Sequence, residues 1–303
     1  WQLTSAVYDP ATGLIYALNP PLKAVAVFSP SNYSYLGSIR VGISPAWIGL
    51  DPNGTIYVSD SQAGTIDLID PATWKVFNAI FVGNSPGMFV YNPSNGYLYV
   101  ANNLGNNNYV VQVVGPRGVV SSIPIPGSPS WMTYDPVNNY VLVTTSAGVF
   151  AIKGFKVVLN YTNAYYKGTY TAFPQFLLVD PKTGTIYGVN SLILGYGVTY
   201  TNVLVFSPSN LSVVKYFQIR PAITPLSSAV FLNGRIYLLA GSQIYYVNPT
   251  NGSYGVALSL PPVAVTGASV NMNFMTYSPQ LKSLVLVGQP PTPVFLVDLS
   301  NWR

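Results

Sequence analysis

The stretch that decides the fold is "YDPATGLIYAL", which runs from Tyr8 to Leu18. Alternating apolar residues lie on both sides of an Asp-Pro-x-x-Gly segment, as they do in two β-strands joined by a turn. The aspartate caps such a turn with its side chain, the proline fixes φ, and the glycine accepts a positive φ. The stretch therefore predicts a β-hairpin.

The same phrase returns along the chain, most clearly at Leu50, Tyr91, Tyr134 and Val179. Two weaker copies begin at Phe231 and Tyr277, and a second hairpin pattern follows the copies. Four strands in about 42 residues are typical of one blade of a β-propeller. Seven copies predict an all-β, seven-bladed β-propeller of four-stranded blades that forms a single domain over residues 1–303.

The last blade is expected to have three strands. Its final segment "FLVDLSNWR", Phe295–Arg303, aligns with "LIDPATWK", Leu68–Lys75, after which the earlier copy continues into an apolar strand. The residues before Leu3 are too few for a strand of about five residues. We therefore expect blade 7 to expose a strand edge that a neighbouring subunit covers. The alternative is an extension of the chain that supplies the missing strand.

One segment carries a family resemblance. "IDLIDPATWKVFNAIFVGNSPGMFVYNPSNGYLYVANN", Ile66–Asn103, resembles the YVTN-type β-propeller repeat, and its residues 99–102, Tyr-Val-Ala-Asn, match three of that motif's four positions. The segments that begin at Val41, Val82 and Pro126 resemble the family's link between blades. The resemblance covers the first five blades well and the last two loosely. It implies a propeller that serves as a surface-layer module, a binding protein or, in related folds, an enzyme.

The composition favours neither catalysis nor nucleic-acid binding. The chain has no Cys and no His, and all eight of its acidic residues are Asp. It therefore lacks the commonest general base and the commonest metal ligands. The 13 Lys and Arg residues are scattered, without the basic stripe that nucleic acids require. We predict a protein that is not an enzyme and has no cofactor, no metal, no nucleic-acid partner and no transmembrane segment.

The aspartates have a structural interpretation. Six of them fall in predicted turns as caps: Asp9, Asp51, Asp135 and Asp180 in first turns, and Asp70 and Asp298 in second turns. The other two lie in blade 2, with Asp60 in a predicted loop and Asp67 in a predicted strand. A calcium ion at Asp60 is an alternative that would rest on one carboxylate.

The scarcity of charge indicates an extracellular location. Charged residues make up 7% of the chain, against roughly 25% in an ordinary soluble domain. An acidic exterior would explain this scarcity, because carboxylates lose their charge there; a secreted β-rich protein is the simpler alternative. The first residue is Trp, which fits a cleaved secretory signal. We predict a secreted, cell-surface protein of a heat-tolerant archaeon.

Asn-x-Ser/Thr sequons predict N-linked glycans. Three of them occupy equivalent second turns and a fourth occupies a first turn, so these four are expected on one face of the propeller. The fifth is expected in the link after blade 4. The five are Asn32, Asn210 and Asn251, then Asn53, then Asn160. The alternative is that Asn and Ser are simply favoured turn residues.

Two tyrosine-rich segments, residues 160–173 and 190–202, are expected to form irregular loops on the opposite face. Tyrosine with Ser, Gly and Asn is a recognition composition, although a solvated polar surface is the alternative. The proposed contact residues are Tyr161, Tyr165, Tyr166, Tyr170, Tyr196 and Tyr200.

Together these patterns predict a non-catalytic, self-associating surface-layer or filament subunit. Its partners would be copies of itself or other surface glycoproteins. The alternative function is a soluble propeller that binds a small ligand or carbohydrate near the central channel.

Overall fold

The computed structural model describes residues 2–193, 199–261, 272–289 and 293–299, and these residues form a seven-bladed β-propeller. Each blade is an antiparallel meander whose strands follow chain order from the central channel to the outer rim. Six blades have four strands and the last blade has three, so the predicted fold is confirmed.

The first three blades contain strands β1 to β12. Blade 1 also contains a 3₁₀ turn at Pro20–Leu22 between its second and third strands. The strands are β1 Ser5–Asp9, β2 Leu14–Asn19, β3 Ala24–Phe28, β4 Tyr35–Arg40, β5 Pro45–Leu50, β6 Ile56–Asp60, β7 Thr65–Asp70, β8 Lys75–Phe81, β9 Pro86–Asn92, β10 Tyr97–Asn103, β11 Tyr109–Gly115 and β12 Gly118–Pro124.

Blades 4 to 7 contain the remaining strands, with a small hairpin, β17–β18, in the link between blades 4 and 5. The strands are β13 Pro129–Asp135, β14 Tyr140–Thr145, β15 Gly148–Lys153, β16 Lys156–Tyr161, β17 Tyr165–Tyr166, β18 Thr169–Tyr170, β19 Phe176–Val179, β20 Ile186–Ile193, β21 Thr199–Phe206, β22 Val213–Ile219, β23 Leu226–Leu232, β24 Arg235–Ala240, β25 Gln243–Val247, β26 Tyr254–Ser259, β27 Met272–Ser278, β28 Ser283–Gly288 and β29 Val294–Asp298.

The Asp-Pro turns have the predicted geometry. An oxygen of the Asp9 carboxylate accepts a hydrogen bond from the Ala11 amide at 3.0 Å, and the Thr12 hydroxyl donates to the other oxygen at 2.7 Å. Gly13 has a φ of 70°, which glycine adopts without steric cost. Asp51, Asp135, Asp180 and Asp70 accept the corresponding backbone amides of their own turns.

In blades 2 to 5, a polar residue near the end of the second strand holds the link from the preceding blade. The Asn102 side chain accepts a bond from the Ser85 amide at 2.9 Å and donates to the Val82 carbonyl at 3.0 Å. Asp60, Thr145 and Asn190 occupy the equivalent positions and contact their own links. Asp60 is therefore the last residue of β6, not a loop residue as expected, and its carboxylate is occupied by backbone amides.

Asn19 is the equivalent residue in blade 1, and it differs from the other four. It lies ten positions after Asp9, as Asn102 lies ten positions after Asn92. It is 1% exposed, and within the described part of the chain neither polar atom of its side chain has a hydrogen-bond partner.

Blade 1 packs directly against blade 7. The Leu3 amide donates to the Gly288 carbonyl at 3.1 Å, and the Asn273 side chain donates to the Leu3 carbonyl at 2.8 Å. Leu3 and Ala6 share an apolar cluster with residues of β28 and β29. These contacts join the first and last blades.

Candidate functional site

The central channel is filled in its middle by aromatic rings from inner strands of non-adjacent blades. The Trp47 ring of blade 2 meets the Trp131 ring of blade 4 at 5.7 Å between centroids and the Phe274 ring of blade 7 at 5.6 Å. Both pairs are edge-to-face, which is a favourable geometry for aromatic rings. The cluster separates a cavity on one face of the propeller from a smaller cavity of about 400 Å³ on the other.

The larger cavity, here called the vestibule, has a volume of about 750 Å³ and opens on the face that carries the Asp-Pro turns. Residues from blades 1, 2, 3, 4 and 7 line it. Its aromatic lining consists of Tyr8, Tyr57, Phe89, Tyr91 and Tyr134. Its volume lies within the range of roughly 300–1,000 Å³ that is common for ligand sites.

A local departure from the repeat creates the vestibule. The difference lies in the two residues at the end of the inner strand. In the other blades, the first of these residues is Val, Thr or Leu and the second is an aromatic residue or Val. In blade 2, they are Gly49 and Leu50. The following turn is also one residue shorter, since Tyr57 follows Asp51 by six positions and Tyr16 follows Asp9 by seven. Smaller side chains and a shorter turn leave open space over blade 2.

The floor of the vestibule depends on Gly49. A Cβ atom at this position would lie 2.6 Å from the Phe89 ring, so only glycine lets that ring occupy its place. The Phe89 ring also meets the Tyr57 ring edge-to-face at 6.5 Å. Phe89 is buried, and it forms an apolar base beneath the tyrosines.

The polar side of the vestibule is acidic. The Tyr57 hydroxyl donates to the Asp51 carboxylate at 3.0 Å, and Asp9 lies on the neighbouring turn. Burial, followed by the negative charge of Asp51, raises the pKa of Tyr57, which keeps this hydroxyl a donor. No Lys or Arg belongs to the lining that the described residues form.

The sequence interpretation missed this cavity. Asp9 and Asp51 were predicted as turn caps, which they are, but the cavity that they line was not predicted. The signal was present as the Gly49–Leu50 pair and the shortened turn.

The outer strands of the blades expose apolar side chains, and each carries at most one charged residue: β4, β8, β16 and β22 each have one Lys or Arg. In β8, Phe77 and Phe81 are 60% and 71% exposed. Strands β12 and β26 contain no charged residue and expose Val119, Val120 and Tyr254. Each of these strands pairs on one side only within the described sheets. Edge strands of soluble proteins usually carry charges that prevent pairing with other chains.

The sequon asparagines are all exposed. The side-chain oxygens of Asn32, Asn210 and Asn251 accept the amide two residues ahead in equivalent turns, at 2.9–3.1 Å. These three and Asn53 lie in first or third connections, which emerge on one face. Asn160 lies within β16, the outer strand of blade 4, and not in the link as expected.

The tyrosine-rich segments are more regular than expected, because residues 190–193 and 199–202 extend β20 and β21 and residues 165–170 form the hairpin β17–β18. The hairpin exposes Tyr165 and Tyr170, whose rings meet at 5.2 Å, while Tyr166 is half-buried. Tyr161 is half-buried and packs on Phe206, whereas Tyr200 is 4% exposed and does not offer the contact surface that we expected. Tyr196 lies outside the described residues.

No family model and no curated protein sequence matches the chain, but solved structures do. Hydrazine synthase of Kuenenia stuttgartiensis superimposes with a TM-score of 0.77 at 13% identity, covering 97% of this chain and 95% of that one. A virginiamycin B lyase from Staphylococcus aureus gives 0.70 at 10% identity, covering 95% and 92%. The Cps50 (Swd1) propeller domain of Myceliophteria thermophila gives 0.72 at 10% identity, covering 99% and 98%.

These neighbours include enzymes, and at such identities the likeness defines the fold alone. The described residues include no helix with the length and hydropathy that a membrane-spanning helix needs.

Proposed function

We propose that this chain is an extracellular, non-catalytic structural propeller of the YVTN type whose copies associate through their outer rims. The observation that carries the proposal is the exposure of two large aromatic side chains, Phe77 and Phe81, on the edge strand β8, together with edge strands β12 and β26 that contain no charged residue. Contiguous exposed apolar surface on a soluble protein is typical of an interaction site. A second copy fits this surface because a repeated fold offers similar edges on successive blades.

Blade 7 gives a second point of contact in the same proposal. In blades 2 to 5, the residue equivalent to Asn19 binds the segment that follows the outer strand of the preceding blade, as Asn102 binds the Val82 carbonyl. The buried side chain of Asn19 lacks such a partner in the described structure. An extended segment from a neighbouring copy, paired to the outer edge of β29, would bring backbone groups to Asn19.

Electron microscopy and light scattering of the full chain test the proposal. We expect particles larger than the 32.7 kDa monomer, with contacts along the rim and at blade 7. A protein that remains a 32.7 kDa monomer at every concentration, with these strands bare, would exclude it. Glycans and an extracellular location are part of the proposal and are tested on protein from the native host.

A further inference from the structure

We propose that the vestibule binds a small organic cation, with an ammonium group held among the tyrosine rings beside the Asp51 carboxylate. This inference is independent of the proposed association, because the vestibule lies at the channel mouth and the apolar edge strands lie on the rim. It assigns a ligand class to a cavity that blade 2 opens by departing from the repeat.

The charge around the vestibule favours a cation. Two carboxylates, Asp9 and Asp51, belong to the lining, and no Lys or Arg of the described chain joins them. Both carboxylates are buried and accept hydrogen bonds from neutral groups of their own turns, so no positive side chain balances their charge within the lining. An anion would be repelled by this charge, whereas a cation is attracted by it. The Asp51 carboxylate accepts the Tyr57 hydroxyl at 3.0 Å, and both residues line the cavity.

The aromatic lining favours an ammonium group over a bare metal ion. Tyrosine rings attract cations through their negative faces, and such rings commonly surround quaternary ammonium ligands. Tyr8, Tyr91 and Tyr134 approach from three blades, while Leu50 and the buried Phe89 ring supply an apolar base. A hydrated metal ion would gain nothing from that base, whereas the methyl groups of an organic cation bury apolar surface against it.

The test compares choline with its neutral isostere, 3,3-dimethylbutan-1-ol, by calorimetric titration at pH 7. The protein is produced without N-glycans because Asn53 lies at the rim of the vestibule. We expect saturable binding of choline and binding of the neutral alcohol at least about tenfold weaker. No saturable binding of choline, or equal binding of the two probes, would overturn the proposal.

Matched variants locate the site. Leu50→Tyr introduces the residue found in blades 1, 3, 4 and 7 and should fill the vestibule, reducing choline affinity about tenfold or more. Val179→Tyr makes the same change at the equivalent position of blade 5, outside the vestibule lining, and should leave affinity unchanged.

A second variant tests the charge. Asp51→Asn retains acceptors for the Asn53 and Thr55 amides and should weaken choline binding while leaving the neutral alcohol unaffected. Melting temperatures check that each variant is folded. Loss of binding in Val179→Tyr but not in Leu50→Tyr, or unchanged choline affinity in Asp51→Asn, would contradict the assignment.

Discussion

At the scale of single residues, hydrogen bonds from backbone amides to Asp and Asn side chains hold the turns and the links between blades. The chain's few carboxylates mostly accept backbone amides, and amide side chains such as Asn102 and Asn190 hold the links between blades. The sequence identified the turn caps because Asp-Pro is a local signal. It could not identify the link-binding residues, since their partners lie about 17 positions away and across a blade boundary.

Asp67 has the clearest predicted pH dependence. Burial raises its pKa, against bonds from the Gly42 amide and the Thr65 hydroxyl that lower it. The folded protein therefore binds this proton more tightly than the unfolded chain, whose Asp pKa is about 3.9. The stability that Asp67 contributes is greatest in acid and declines as pH rises through the raised folded pKa.

Asp67→Asn should therefore raise the melting temperature at pH 7, and the gain should shrink towards pH 3. Asp70→Asn is the control, because hydrogen bonds from Thr73 and the Ala72 amide lower the pKa of Asp70. Stability from Asp70 is present at neutral pH and is lost in acid, so its variant should lower the melting temperature at pH 7 only. Identical pH profiles for both variants would contradict this account.

Asn19 gives a second prediction at this scale. In dilute protein, Asn19→Leu should stabilise the chain by about 1 kcal/mol, because it removes a buried polar group that has no partner in the described structure. Asn102→Leu should destabilise it by about 3 kcal/mol, because the Ser85 amide and Val82 carbonyl lose their partner. Chemical denaturation measures both, and equal losses would show that Asn19 is already bonded in the monomer.

At the scale of elements, strands and turns were well predicted where the Asp-Pro phrase sets them. The hairpin β17–β18 was not predicted, although its turn residues Lys167 and Gly168 both have positive φ, as a two-residue hairpin turn requires. Lysine is an unusual residue there, so the sequence carried no clear signal. The length of β20 and β21 was also not predicted. The two strands pair with each other as far as Ile193 and Thr199, past the residues that the local sequence pattern indicates as strands.

The sequon turns give the prediction at this scale. Asn32, Asn210 and Asn251 use their side-chain oxygen in the turn, which leaves the amide nitrogen available for a glycan. We expect protein from the native host to be heavier than 32.7 kDa, with glycopeptides from these three turns. An intact mass equal to that of the bare chain would contradict it.

At the scale of the whole molecule, the seven repeats predicted the ring and its three-stranded last blade. The two surfaces that we assign to function arise from how blades differ and from what they leave uncovered. The vestibule follows from a single glycine and a shortened turn in blade 2. The association surface on the rim arises because the outer strands carry apolar residues that are exposed. From the sequence pattern alone, such residues would be assigned to a core.

Association through the rim is tested most directly by one measurement of the size of the particles in solution. Sedimentation velocity would compare the unmodified chain with a Phe77→Lys, Phe81→Lys variant and with Asn78→Lys, which adds charge to the same exposed strand without removing an aromatic ring. We predict that the double variant associates at least about tenfold more weakly. It lacks the two aromatic rings, exposed in the single chain, that association through the rim would bury, together with their apolar area. Asn78→Lys should retain most of the association. Unchanged association of the double variant would contradict the account.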